Sequence, residues 1–216
     1  MSDTVSVVTA LDPLDLAALL CSRVCHDLIS PVGAVVNGME VLEDTSDEST
    51  KTFALDLIKK SANQASARLQ FCRLAFGAAG SAGATIDLGD AESVARGFIE
   101  DDKMKLGWGF ARVLLPKNRV KLLLNLLLLT SQMIPRGGTL DVAPIGEGDT
   151  MGFRLIATGP HARFQAATPH LVTGEGGEHP VDAHGIQPFY TGLLARACGL
   201  KVEMGQDADT VTVTAQ

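Results

Sequence analysis

Two stretches of this chain carry apolar stripes at helical spacing, and neither stripe can be left in water. In Asp15–Leu42 the residues Leu16, Leu20, Val24, Leu28, Val32, Val35, Met39 and Leu42 recur at steps of four and three. Asp12 followed by Pro13 reads as the start of this helix, with Asp12 as N-cap and Pro13 at the first helical position. The second pattern runs from about Asp47 to Phe76, with Phe53 and Leu57 leading into Ile58, Ala62, Ala65, Leu69, Cys72 and Phe76. The polar turn Glu43–Ser46 joins the two into a long antiparallel hairpin. Such a hairpin cannot bury both stripes against itself. A second copy would complete a four-helix bundle, so a homodimer is expected. The alternative is that the stripes pack on the rest of the same chain.

Past the hairpin the pattern changes. Gly77–Ala84 reads GAAGSAGA, a small-residue linker that sets expected domains at 1–80 and 81–216. Beyond it, Thr85–Leu88 reads as a short strand, Asp90–Asp101 as a helix capped by Asp90, and Lys117–Met133 as a strongly apolar helix. Gly138–Ile145 and Gly152–Ala157 read as paired strands around Gly146–Thr150. Gln187–Cys198 reads as a helix ended by Gly199, and Lys201–Met204 with Thr210–Thr214 as a final hairpin. The Gly-rich stretch His161–His184 is expected to be a loop. The fold class is therefore α+β, a helical hairpin followed by a sandwich of helices on one face of an antiparallel or mixed sheet.

Composition narrows the function. Of 216 residues, 46% are hydrophobic and 20% charged, which supports a packed core and argues against disorder. The longest apolar stretch, Leu122–Leu129, is interrupted by Asn125 and is too short to span a membrane. The N-terminus lacks a signal-peptide pattern, so a cytoplasmic location with no membrane partner is expected. A net charge of −7, with Lys and Arg spread along the sequence, disfavours nucleic acid. Cys21 and Cys25 are the sole close pair among four cysteines, and no second pair completes a tetrahedral metal set. They read as buried, reduced thiols, and no metal or other cofactor is expected on this chain.

His26 lies about 200° around the first helix from both Val24 and Leu28, away from the expected stripe. Its helical neighbours are Ser22, Arg23, Ile29 and Ser30, and Gly33 leaves the next turn with little cover. Another protein could reach such an imidazole. The string Cys25-His26-Asp27-Leu28-Ile29-Ser30-Pro31-Val32 resembles the phosphoacceptor box of sensor histidine kinases. His26, the acidic Asp27 and Pro31 match; Ile29 and Ser30 depart from the usual residues. An imidazole with an ordinary pKa near 6.5 is a nucleophile at neutral pH. Phosphoryl transfer asks the protein chiefly for positioning and charge stabilisation. Arg23 is a candidate to favour the neutral ring and offset phosphoryl charge. Asp27 is a candidate to orient the ring or accept its proton, although residues i and i+1 do not normally face each other on a helix.

The second half resembles the Bergerat-type ATP-binding domain of those kinases, with key groups replaced. Arg119–Leu127 is similar to the asparagine box, but Leu129 stands where the metal-binding Asn would be. Leu155-Ile156-Ala157-Thr158-Gly159-Pro160-His161 is similar to the Asp-Thr-Gly-Pro-Gly box, with Ala157 in place of the adenine-reading Asp and His161 in place of the second Gly. From His184-Gly185-Ile186 to Leu200-Lys201-Val202, scattered glycines are what remains of the last Gly-rich box.

With both halves taken together, the chain resembles the ChpT family of alphaproteobacterial histidine phosphotransferases. That resemblance implies a kinase-like dimer without kinase activity. The receiver Asp of a CckA-like hybrid kinase would donate phosphate to His26, which would pass it to CtrA-like and CpdR-like response regulators. Mg²⁺ would come from the partner receiver. The receiver would dock near Ser22, Arg23, Ile29, Ser30 and Gly33, with His26, Asp27 and Arg23 carrying the chemistry. Competing readings are an active histidine kinase, a non-catalytic adaptor that docks receivers, and a metal or hydrolytic role for His161, His170, His179 and His184. The last lacks metal-like spacing.

Overall fold

The computed structural model describes residues 11–77, 83–174 and 181–216. Helix α1 (Pro13–Asp44) begins where Asp12 accepts the Leu14 amide at 2.8 Å, with Pro13 in the first turn. Helix α2 (Glu48–Ala75) begins at Asp47, which accepts from Ser49 and Thr50. Those side-chain and amide donors hold the Asp47 carboxyl at about 2, below its usual range.

The expected single stripe on α1 divides into two faces. Asp27, Pro31 and Gly38 are buried against α2. On α2 the facing positions Ala54, Ile58, Ser61, Ala65, Arg68, Cys72 and Ala75 recur at alternating steps of four and three, and Ala54, Ser61, Cys72 and Ala75 are buried. The helices come close at Gly38, where a Cβ would lie 2.6 Å from Ile58 Cγ1. Val32 and Met39, assigned to the stripe from sequence, instead stay about half-exposed, as does Val36, and Ile29 is exposed further still. These four follow one another at steps of three and four along a separate, open seam. By length and composition alone α1 would suffice to cross a membrane, but it pairs with α2 along its length and carries Arg23, His26 and Asp27.

The foot of α2 enters the core of the second half. Phe71 and Ala75 are fully buried there, and Phe71 stacks on Phe98 at 4.2 Å between ring centroids. The second half opens with β1 (Thr85–Asp87), α3 (Leu88–Ile99), β2 (Met104–Trp108) and β3 (Leu114–Pro116). It continues through α4 (Lys117–Ser131), β4 (Gly138–Ile145) and β5 (Gly152–Thr158). After α5 (Ala167–Thr173) and α6 (Ile186–Ala197), the strands β6 (Val202–Asp207) and β7 (Thr210–Ala215) close the chain. The main sheet runs β2-β4-β5-β7-β6, parallel between β2 and β4 and antiparallel elsewhere; β1 and β3 form a separate antiparallel ribbon. Every residue from Val120 to Thr130 is buried, because α4 lies between the sheet and the surrounding helices α2, α3 and α6. Inside it, Asn125 donates to the Ala75 carbonyl at 3.0 Å and accepts from Gln187 Nε2 at 2.9 Å. One buried amide thus ties α2 and α6 to α4.

The α+β class stands, with three local corrections. Asp87, not Asp90, caps α3: its Oδ1 accepts the Gly89 amide at 2.8 Å, so Leu88 already starts the helix. Within the expected loop His161–His184, α5 forms because Thr168, Leu171 and Val172 are buried on one side, and Gly174 ends it at φ 74°. Strands β2 and β3 were not foreseen: β3 is three residues long, and β2, although Met104, Leu106 and Trp108 alternate with Lys105 and Gly107, is only five. Most of the expected linker Gly77–Ala84 lies outside the described residues.

Candidate phosphoacceptor site

The third face of α1 carries the histidine. Relative to His26, the buried face is about 120° around the helix and the open seam about 100° the other way. The His26 side chain is 84% exposed, while Asp27 beside it is only 10% exposed. Asp27 Oδ1 lies 3.3 Å from His26 Nδ1, so the two adjacent side chains do meet. The second carboxylate oxygen, Oδ2, accepts from Arg23 Nε, also at 3.3 Å. Arg23 therefore reaches the ring through Asp27 instead of touching it. An acceptor at Nδ1 favours the tautomer that carries its proton there, which leaves the Nε2 lone pair facing outward.

Pro31 shapes the backbone beneath this group. It has no N–H, and its ring crowds the carbonyl four residues earlier, which belongs to Asp27. That carbonyl instead accepts a hydrogen bond from Arg68 Nη1, reaching across from α2. Nothing in the sequence reading singled out Arg68. Two signals were available: a proline orphans the carbonyl four positions before it, and an arginine interrupts the register Ala54, Ile58, Ser61, Ala65, Cys72, Ala75, which otherwise holds small or apolar residues. Cys72, one turn on, is pushed up to about 11 by burial, with the Asp27 charge adding to the effect.

Ser22, Ile29, Ser30 and Gly33 lie around His26 within about 60° of it. Ser22, Ile29 and Ser30 are exposed, and a Cβ built on Gly33 would meet nothing within 4 Å. A partner can therefore approach the backbone closely at that turn. Beside Arg23 opens a cleft of about 460 Å³, walled by Leu129, Met133, Arg163, Phe164 and His184. Two of the altered boxes meet here, through Leu129 and through His184 with Gly185. Ala157 is buried in β5 and His161 pairs with Arg136 at 2.8 Å; neither lines the cleft. Among the described residues, no group of three or more His, Cys, Asp or Glu side chains is placed to hold a metal ion; His179 lies outside those residues.

Residues 88–210 match the family model of the histidine phosphotransferase C-terminal domain. The chain is similar to protein phosphotransferase ChpT of Brucella abortus (strain 2308), 48% identical over 211 residues, covering 98% of this chain and 100% of the relative. It also superposes on a solved structure of a bacterial phosphotransferase with a TM-score of 0.87 and 47% identity, covering 98% of this chain and 100% of the other.

Proposed function

This chain belongs to the ChpT family of histidine phosphotransferases, and on that footing we propose that His26 carries the phosphoryl group in a relay between receiver aspartates. The observation that supports this most directly is an 84% exposed imidazole whose Nδ1 is held by a nearly buried carboxylate. In the forward step the Nε2 lone pair attacks the phosphorus of a receiver aspartyl phosphate. The bond from phosphorus to the carboxyl oxygen breaks, and the receiver carboxylate leaves with the bonding electrons. Asp27 stabilises the positive charge that the ring takes on, and Arg23 holds Asp27 in place. The second step is the reverse, with the carboxylate of another receiver attacking phosphorus and Nε2 leaving. Mg²⁺ belongs to the receiver in this scheme, and no ATP enters it. We place the exchange in the cytoplasm.

The assembly is a homodimer. Ile29, Val32, Val36 and Met39 form the open seam on α1, and Leu55 and Leu69 remain exposed on α2. A second hairpin packed on these residues completes a four-helix bundle and leaves the His26 face outward. The test is to incubate the protein with a radiolabelled phospho-receiver and Mg²⁺ without ATP. Label should move to the wild type and not to His26→Ala, and ATP alone should give none. Label from ATP alone would make the chain a kinase. A His26→Ala variant that still passed the signal would make it an adaptor.

A further inference from the structure

We infer that Arg68 is a positioning residue for phosphotransfer, acting by replacing the hydrogen bond that Pro31 removes from the Asp27 carbonyl; the inference rests on the role of His26 proposed above. Pro31 leaves an orphan acceptor. In an unbroken helix the amide of residue 31 would bond to the carbonyl of residue 27, and a proline there cannot supply it. Both Asp27 and Pro31 are buried in the hairpin, so the carbonyl faces α2 instead of bulk water. Arg68 supplies a donor to that one atom.

The bond matters to the site because Asp27 contacts the imidazole. Its carboxylate takes one contact from Arg23 and one from His26 Nδ1, while Arg68 holds the backbone of the same residue from the opposite helix. Asp27 is thus held at both ends. With the Arg68 contact gone, the Asp27 peptide can rotate. The carboxylate then loses its direction toward Nδ1, and the ring loses its tautomer and its outward aim. Arg68 acts through Asp27 and touches no reacting atom. The arrangement also explains an arginine at a seam position whose neighbours one turn away, Ala65 and Cys72, are small.

The experiment is a double-mutant cycle on the full chain. Pro31→Ala restores an N–H, so the Asp27 carbonyl regains a helical partner and no longer needs Arg68. Arg68→Met should slow receiver-to-His26 transfer about tenfold in the native background, and less than about twofold in the Pro31→Ala background. Arg68→Lys, which keeps a donor, should recover part of the rate. Rates are compared at equal folded fraction, measured by circular dichroism. A second readout does not depend on transfer: nitrogen-15 NMR of His26 should show Arg68→Met shifting protons from Nδ1 to Nε2 only when residue 31 is proline. An equal loss in both backgrounds, or an unchanged tautomer ratio in both, would overturn the inference. If no variant and no wild type accepts phosphate from receivers, the relay reading fails, and the NMR cycle still decides the role of Arg68.

Discussion

Val36→Asp should take the proposed dimer apart and leave each chain folded. Val36 is 51% exposed at the middle of the open seam, with Ile29 at 70%, Val32 at 50% and Met39 at 47% around it. Closing the interface would remove the exposed half of the valine from water, worth about 1 kcal/mol per copy. The substitution forfeits this in both protomers and places a carboxylate on each side of the seam. Desolvating an unpaired carboxylate costs several kcal/mol, reduced where the side chain can turn outward. A total of about 4 kcal/mol or more follows, which corresponds to a dimer at least about a thousandfold weaker. Sedimentation equilibrium over a concentration series reads this directly. Val41→Asp is the control: Val41 is 40% exposed but lies about 160° around α1 from the seam, so its dimer should be unaffected. A wild type that is monomeric at tens of micromolar, or a Val36→Asp variant that dimerises as tightly as wild type, would refute the assignment of the seam.

Three further outcomes can be checked. Asp27→Ala should slow transfer to His26 by about tenfold, and Asp27→Asn, which keeps an acceptor for Nδ1–H, should lose less; equal rates for alanine and wild type would show that the carboxylate does not orient the ring. Asn125→Leu leaves the Ala75 carbonyl and the Gln187 amide without their partner in a dry core. It should cost about 2–4 kcal/mol, seen as a Tm about 10 °C lower by calorimetry; a shift within error would show that the amide cluster contributes nothing. Cys21 and Cys25 are exposed on the single chain, not buried as expected, and they continue the open seam of α1 one and two turns before Ile29, so a maleimide at pH 8 should label them faster in Val36→Asp than in the wild-type dimer and should label Cys72 barely at all in either. Because the Cys72 thiol is raised from 9.0 to about 11 in the folded state, its contribution to stability is complete below pH 9 and lost as pH rises through 11. Rapid labelling of Cys72 in folded protein would contradict that burial.

The hairpin was legible because helical periodicity is a local signal, and Asp12 with Pro13 marked its start to the residue. What periodicity could not do was separate the two apolar faces of α1. Val32 and Met39 lie about 100–120° from the buried side but run on without a break from the partly buried Leu28, Val35 and Leu42, so only the position of α2 shows them to be open. Strand β2 carries a short local signal in Met104, Leu106 and Trp108, but its partner is the parallel strand β4, 34 positions away at Met104 and Gly138, and nothing local announces that pairing. Asp87 and Asp90 are equally plausible caps as sequence; the burial of Leu88 and the Gly89 amide donating to Asp87 Oδ1 decide for Asp87. At the site, His26, Asp27 and Pro31 were visible as a string. Arg68 lies 41 positions from its acceptor, and only the fold brings the two together.

A relay through His26, as proposed, sends the phosphate through one nitrogen of one residue. The most direct measurement is to phosphorylate the wild-type chain from a phospho-receiver without ATP, quench in alkali, and locate the phosphoryl group by peptide mass spectrometry and phosphorus-31 NMR. A single phosphohistidine should form at His26, on Nε2, and disappear when an unphosphorylated receiver is added. Phosphate on another residue, on Nδ1, or on a His26 adduct that no receiver can discharge would contradict it.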